Sequence, residues 1–240
     1  MKKETQKNKK EVKEIEQKNK ITMNLPNKLT LLRIILVPVI VVVYMLCANH
    51  EDVFAKPVFN FLPTFTILNC IILVIFGIAA FTDYLDGAIA RKKGLVTNFG
   101  KFADPLADKL LVYTVFVLML HQNYLNKTTL TKDPGDIFEW WMLVVVLARE
   151  FIVTGVRYMA ATNGTVVAAS KLGKAKTIAQ YIAVIVVLVF GAASTGMTEL
   201  HTAYIVICKI ALFVMLVLTV ISGADYVIKN KDVFYDKNTK

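Results

Sequence analysis

Six long apolar runs follow one another along the chain, separated by short polar segments. They cover residues 29–48, 65–82, 110–125, 137–161, 177–198 and 202–227. A helix needs about 20 residues to cross roughly 30 Å of hydrocarbon, so each run predicts a membrane-spanning helix. The third must borrow residues from about Lys101 onward to be long enough. The first run holds one charge, Arg33, and the second and fifth hold none. The fourth is interrupted by Glu139, Arg149, Glu150 and Arg157, and the sixth carries Lys209 and Asp225. Asn24-Leu-Pro-Asn27, just before the first run, suits an interfacial helix entry.

Composition agrees. The chain is 56% hydrophobic and only 19% charged, with mean hydropathy +0.55, against about 45–50% and 25% for soluble domains. That excludes a disordered chain and disfavours a soluble globule. The net charge of +10 collects at the ends and in two internal segments, a pattern for an anionic membrane surface rather than nucleic acid. Residues 1–20 hold eight Lys and four Glu and read as a solvated tail, with no apolar stretch for a signal peptide. Cys47, Cys70 and Cys208 lack metal or redox spacing and read as small buried apolar groups.

The connections set the orientation. With the N-terminus in the cytoplasm, segments 91–101 and 162–176 and the C-terminal tail all face inward. They carry Arg91, Lys92, Lys93 and Lys101, then Lys171, Lys174 and Lys176, then Lys229, Lys231, Lys237 and Lys240. Basic loops on one side are what the positive-inside rule requires. The expectation is an all-α polytopic membrane protein with six transmembrane helices and both termini cytoplasmic. Its parts are a charged tail over 1–20, a six-helix domain over 21–230 and a short tail over 231–240.

The chemistry concentrates between Asp83 and Asp108. At about 100° per residue, Asp83 and Asp86 fall about 60° apart on a helix, with Gly87 and Ala90 on the same face. Asp104 and Asp108 fall about 40° apart with Gly100 beside them. Pro105 fits if its helix starts near Gly100, since proline is tolerated in a first turn. Carboxylates at the bilayer edge repel one another, and an all-oxygen anionic set favours a hard cation such as Mg²⁺ or Mn²⁺. Four carboxylates suit two divalent ions. The small residues let a bulky ligand such as a nucleotide approach the backbone, where Arg91 meets phosphate. The plainer alternative is a set of membrane-edge carboxylates paired with Arg91, Lys92, Lys101 and Lys109.

This stretch resembles the CDP-alcohol phosphatidyltransferase family, whose pattern is Asp-x₂-Asp-Gly-x₂-Ala-Arg-x₈–₉-Gly-x₃-Asp-x₃-Asp. Asp83, Asp86, Gly87, Ala90, Arg91, Gly100, Asp104 and Asp108 fill it without departure. The resemblance implies transfer of a phosphatidyl group from CDP-diacylglycerol to an alcohol, with release of CMP. It implies that Asp83, Asp86, Asp104 and Asp108 hold two divalent ions, Mg²⁺ or Mn²⁺, that Asp108 is also the general base, and that Gly87, Ala90 and Gly100 make room for the cytidine. It further implies an active site at the cytoplasmic face and a homodimer. Residues 24–33, 148–157 and 171–177 are similar to the bacterial branch that makes phosphatidylglycerol phosphate, so the implied acceptor is sn-glycerol 3-phosphate. Phosphatidylglycerol, serine and inositol phosphate are the alternative acceptors.

A phosphorylated acceptor needs cations. Arg149 and Arg157 share one predicted helix, Lys171, Lys174 and Lys176 begin the next, and Arg33 stands alone in the first span. All six are candidate acceptor-phosphate ligands, with Glu150 a possible partner for Arg149. Asn27 and Thr30 are spaced with Arg33 to face the nucleotide, or else serve the helix start. Tyr84, Tyr113, Trp140 and Trp141 read as packing or interfacial aromatics, Asp225 as a cytoplasmic-edge ion pair, and His121 and His201 as incidental. Two other classes compete. A divalent-cation transporter needs acidic groups deeper in the bilayer, and a structural scaffold leaves the Asp–Gly registry unexplained.

Overall fold

The computed structural model describes residues 25–59, 62–93, 98–129, 137–163, 170–191 and 199–234. Within them lie six long helices: α1 Leu25–Ala48, α2 Ile67–Lys93, α3 Asn98–Thr129, α4 Trp140–Thr162, α5 Lys171–Phe190 and α6 Glu199–Lys229. Each corresponds to one apolar run. The charged tail over residues 1–20 lies outside the described residues.

One expectation is corrected. The chain is not purely helical, because an antiparallel hairpin joins α1 to α2, with β1 at Pro57–Phe59 paired to β2 at Leu62–Thr66. Sequence periodicity assigned part of β2 to the second span. Its Thr64 hydroxyl donates to the Val189 carbonyl at the end of α5, so the hairpin is tied to the far end of the bundle. A second correction concerns Pro105. Helix α3 starts at Asn98, which places the proline inside the helix rather than in its first turn. It cannot donate the backbone bond that the Lys101 carbonyl would otherwise receive.

Helix α1 packs on α2 and α3, α5 on α6 along most of its length, and α4 on α6. Ile40, Tyr44, Ile72, Phe76, Leu111, Val115, Phe116, Val184 and Leu212 form one continuous core. The outer surface is just as apolar: Phe151 is 73% and Phe213 67% exposed. Side chains of that size left outside a packed core mark a surface made for a non-aqueous neighbour. Helices α1, α5 and α6 are long and apolar enough to cross a membrane, and the chain is a membrane protein.

Candidate active site

The polar residues gather at one end of the bundle. Helix α1 brings Asn27, Thr30 and Arg33, one turn apart from one another and all buried. Arg33 Nη1 lies 2.7 Å from Asp83 Oδ1 on α2. The Thr30 hydroxyl donates to Asp104 Oδ1 on α3. Two carboxylates from two different helices are thus drawn against one face of α1. The guanidinium is almost fully buried, whereas the Asp83 side chain is 43% exposed. An arginine so buried in an apolar bundle is stabilised by its carboxylate, which stays accessible to a ligand on its open side.

One turn beyond Asp104, Asp108 accepts a hydrogen bond from the Tyr181 hydroxyl on α5. Tyr181 is itself fixed by Phe76 of α2, with ring centroids 5.4 Å apart. Gly100 is buried near the start of α3. Asp86, Gly87, Ala90 and Arg91 lie on the last turns of α2, but their side chains fall outside the described residues.

Beside these aspartates opens a cleft of about 380 Å³ between α3, α4, α5 and α6. Asp108, Lys109, Arg149, Glu150, Arg157, Lys174 and Lys176 line it, so five cations face two carboxylates. Glu150 is their hub. One of its oxygens meets both Arg149 Nη1, at 2.7 Å, and the Lys176 ammonium. The other lies 3.3 Å from Lys109 Nζ. Arg149 also donates through Nη2 to Ser222 Oγ at 2.9 Å, while its Nε is buried with no hydrogen-bond partner among the described residues. Gly223 makes room for that arginine, since a Cβ there would lie 2.8 Å from Arg149 Cγ. Arg157 donates to the Tyr226 hydroxyl at 3.1 Å and lies over the same ring.

The expected acceptor residues therefore separate. Arg149, Arg157, Lys174 and Lys176 share the cleft, with Lys176 buried and Lys174 exposed at its rim. Lys171 is exposed and is not among the lining residues. Arg33 sits with Asp83 instead, apart from the cationic cleft, because the geometry of α1 pairs it with α2. Asp225 has the ion pair expected of it, with Lys229 at 2.7 Å. Periodicity did not reveal Tyr181 or the triple partnership of Glu150. The one signal was a Glu next to an Arg inside an apolar run.

The sequence profile of the CDP-alcohol phosphatidyltransferase family matches residues 23–221, nearly the whole helical bundle. The chain belongs to this family. Relatives extend over almost all of it. The CDP-diacylglycerol–glycerol-3-phosphate 3-phosphatidyltransferase of Bacillus subtilis (strain 168) is 37% identical over 215 residues, covering 90% of this chain and 99% of the relative. The protein of that name from Rickettsia felis is 33% identical over 207 residues, covering 86% and 95%. The Salmonella choleraesuis protein of that name is 35% identical over 165 residues, covering 67% and 74%. The chain is accordingly an enzyme, a CDP-alcohol phosphatidyltransferase, and its family is in general dependent on divalent metal ions.

The residues at hand suit such ions by donor chemistry. Asp83, Asp104 and Asp108 offer only oxygen, as hard divalent cations prefer, and Asp86 stands on the same helix as Asp83. Among the described residues no three acidic, histidine or cysteine side chains cluster closely enough to form a metal site by themselves.

Proposed function

We propose that this phosphatidyltransferase moves the phosphatidyl group of CDP-diacylglycerol onto sn-glycerol 3-phosphate, giving phosphatidylglycerol phosphate and CMP. The observation that carries the choice of acceptor is the cleft beside Asp108, where Arg149, Arg157, Lys174 and Lys176 collect. Serine, whose single carboxylate is offset by its own ammonium, gives little reason for so many cations. A phosphomonoester does, and the unpartnered Arg149 Nε is a donor held ready for it. The names of the relatives favour the same acceptor.

Asp83, Asp86, Asp104 and Asp108 would hold two divalent ions, Mg²⁺ or Mn²⁺. When bound, such ions neutralise the diphosphate and make CMP a better leaving group. Asn27, Thr30, Gly87, Ala90, Arg91 and Gly100 border the nucleotide. In this reading Arg33 positions Asp83 and Thr30 positions Asp104, rather than either contacting the acceptor. The acceptor phosphate is gripped by Arg149, Lys174 and Lys176, with Arg157 and Lys171 nearer the entrance. Its free hydroxyl then lies by Asp108, which takes the proton as the oxygen attacks the phosphorus carrying diacylglycerol. The bond from that phosphorus to the bridging oxygen breaks, and CMP leaves with that oxygen. The Tyr181 hydroxyl holds Asp108 in one rotamer, so the accepting oxygen is set before the substrate arrives.

All six helices cross the membrane in this reading, both termini are cytoplasmic, and the protein is a homodimer in the cell membrane. The catalytic end of the bundle faces the cytoplasm. CMP and the soluble acceptor exchange there while the acyl chains stay in lipid, and the basic connections between α2 and α3 and between α4 and α5 support that orientation. The test is CMP release by purified protein from CDP-diacylglycerol with glycerol 3-phosphate, serine, inositol phosphate or phosphatidylglycerol in turn, with Mg²⁺ or Mn²⁺. Release with glycerol 3-phosphate that stops on chelation is expected. Release with another acceptor alone would reassign the substrate, and no release with any would reject the activity.

A further inference from the structure

Two buried polar groups in the cleft have no role in the scheme so far. Gln180 on α5 is 4% exposed, and its amide nitrogen has no hydrogen-bond partner among the described residues. The Tyr113 hydroxyl on α3 is likewise buried and without one. Both residues line the cleft. A buried donor left unsatisfied costs about 1–3 kcal/mol, and native proteins rarely keep one without a reason. Here two occur in the same cavity, alongside the unpartnered Arg149 Nε.

Their positions say more. Helices α3 and α5 both run away from the catalytic end. Tyr113 follows Lys109 by four residues, and Gln180 follows Lys176 by four. Each therefore lies on the same helix face as a cation bound to Glu150 and about 6 Å deeper. The cleft has a charged upper layer of Lys109, Arg149, Glu150 and Lys176, and a neutral polar floor of Tyr113 and Gln180. Val112 and Val153 are apolar neighbours in the lining, and Tyr113 and Gln180 offer hydrogen bonds to a small ligand beside them. The sequence pattern assigns Tyr113 to the packing or interfacial aromatics. Its ring does pack against the core, but its oxygen ends in the cleft lining.

We infer that Gln180 and Tyr113 are specificity-determining residues that bind the non-reacting hydroxyl of the acceptor, a short phosphorylated polyol. This rests on the acceptor proposed above. Glycerol 3-phosphate has two hydroxyls. The terminal one is the nucleophile, and the one on the middle carbon is left between the gripped phosphate and the reacting end. The floor gives that hydroxyl a donor from the amide and a donor or acceptor from the phenol. A site built to pair a hydroxyl rejects an analogue lacking it, because its own buried groups are then left unpaired.

The test compares sn-glycerol 3-phosphate with 3-hydroxypropyl phosphate, which lacks only the middle hydroxyl. CMP release gives kcat/KM for each acceptor with wild type, Gln180→Leu and Tyr113→Phe, all in the same detergent–lipid micelles. Wild type is expected to prefer glycerol 3-phosphate by roughly ten- to a hundredfold. Each variant should narrow that ratio several-fold, mainly by raising KM for glycerol 3-phosphate. A merely structural role would lower both acceptors together and leave the ratio intact. An unchanged ratio in both variants, equal use of the two acceptors by wild type, or loss of all turnover in both variants overturns the inference. If wild type turns over neither acceptor, the proposed acceptor fails first and the inference falls with it.

Discussion

The Tyr181 hydroxyl, presented by α5, donates a hydrogen bond to the Asp108 carboxylate of α3 across 73 positions of sequence. The contact joins two of the helices that line the cleft, and it fixes the aspartate that shares the cleft with the cations. A carboxylate held by one hydroxyl keeps its second oxygen for another partner, which is what a base or a metal ligand requires.

If Asp108 accepts the proton, Asp108→Asn should lower turnover by about a hundredfold or more while leaving the fold intact. Tyr181→Phe removes only the positioning bond and should cost less, with kcat falling several-fold and KM little changed. Rates of CMP release, with thermal unfolding in detergent as the check on folding, separate the two. Near-normal rates for Asp108→Asn would remove it from the role.

Glu150 pairs with three cations at once. Breaking a buried ion pair by deleting one partner typically costs about 3–5 kcal/mol. Glu150→Ala should therefore lower the unfolding midpoint sharply, whereas Glu150→Gln keeps one acceptor oxygen for Arg149 and Lys176, gives up the oxygen facing Lys109, and should lose less. Lys176→Met removes a cation that the acceptor phosphate is expected to meet and should raise KM for glycerol 3-phosphate by at least tenfold. An unaltered KM would place the phosphate elsewhere.

Gly223→Ala tests the seat of Arg149 without touching a charge. The new methyl would lie 2.8 Å from Arg149 Cγ, close to the backbone end of the side chain, where it has little freedom to move aside. Overpacking of this kind costs about 1–3 kcal/mol, and displacement of the guanidinium should raise KM for the acceptor. An isothermal activity assay with melting curves reads both effects.

Much of this was legible in the sequence. The six apolar runs correspond to the six helices because span length and hydrophobicity are local properties. The aspartate pattern was legible for the same reason: Asp83 to Asp108 is a short stretch, and helical spacing alone sets its faces. Contacts between helices were not. Nothing local says that Arg33 meets Asp83, that Tyr181 reaches Asp108 or that Lys109 and Lys176 share Glu150, since these depend on how five helices rotate and slide against one another. Arg33 was grouped with the acceptor cations from its isolation in the first span, yet helix packing gives it to α2. The hairpin escaped because Leu62–Thr66 runs without a break into the apolar start of α2.

The most direct measurement follows the acceptor itself. Purified protein is supplied with CDP-diacylglycerol, a divalent ion and radiolabelled sn-glycerol 3-phosphate, and label is counted in extracted lipid while CMP is counted in the aqueous phase. Label should appear in phosphatidylglycerol phosphate in one-to-one ratio with CMP, and Asp108→Asn should lower both together by about a hundredfold or more. CMP released without label in lipid, or transfer that persists undiminished in the Asp108→Asn protein, would contradict the account.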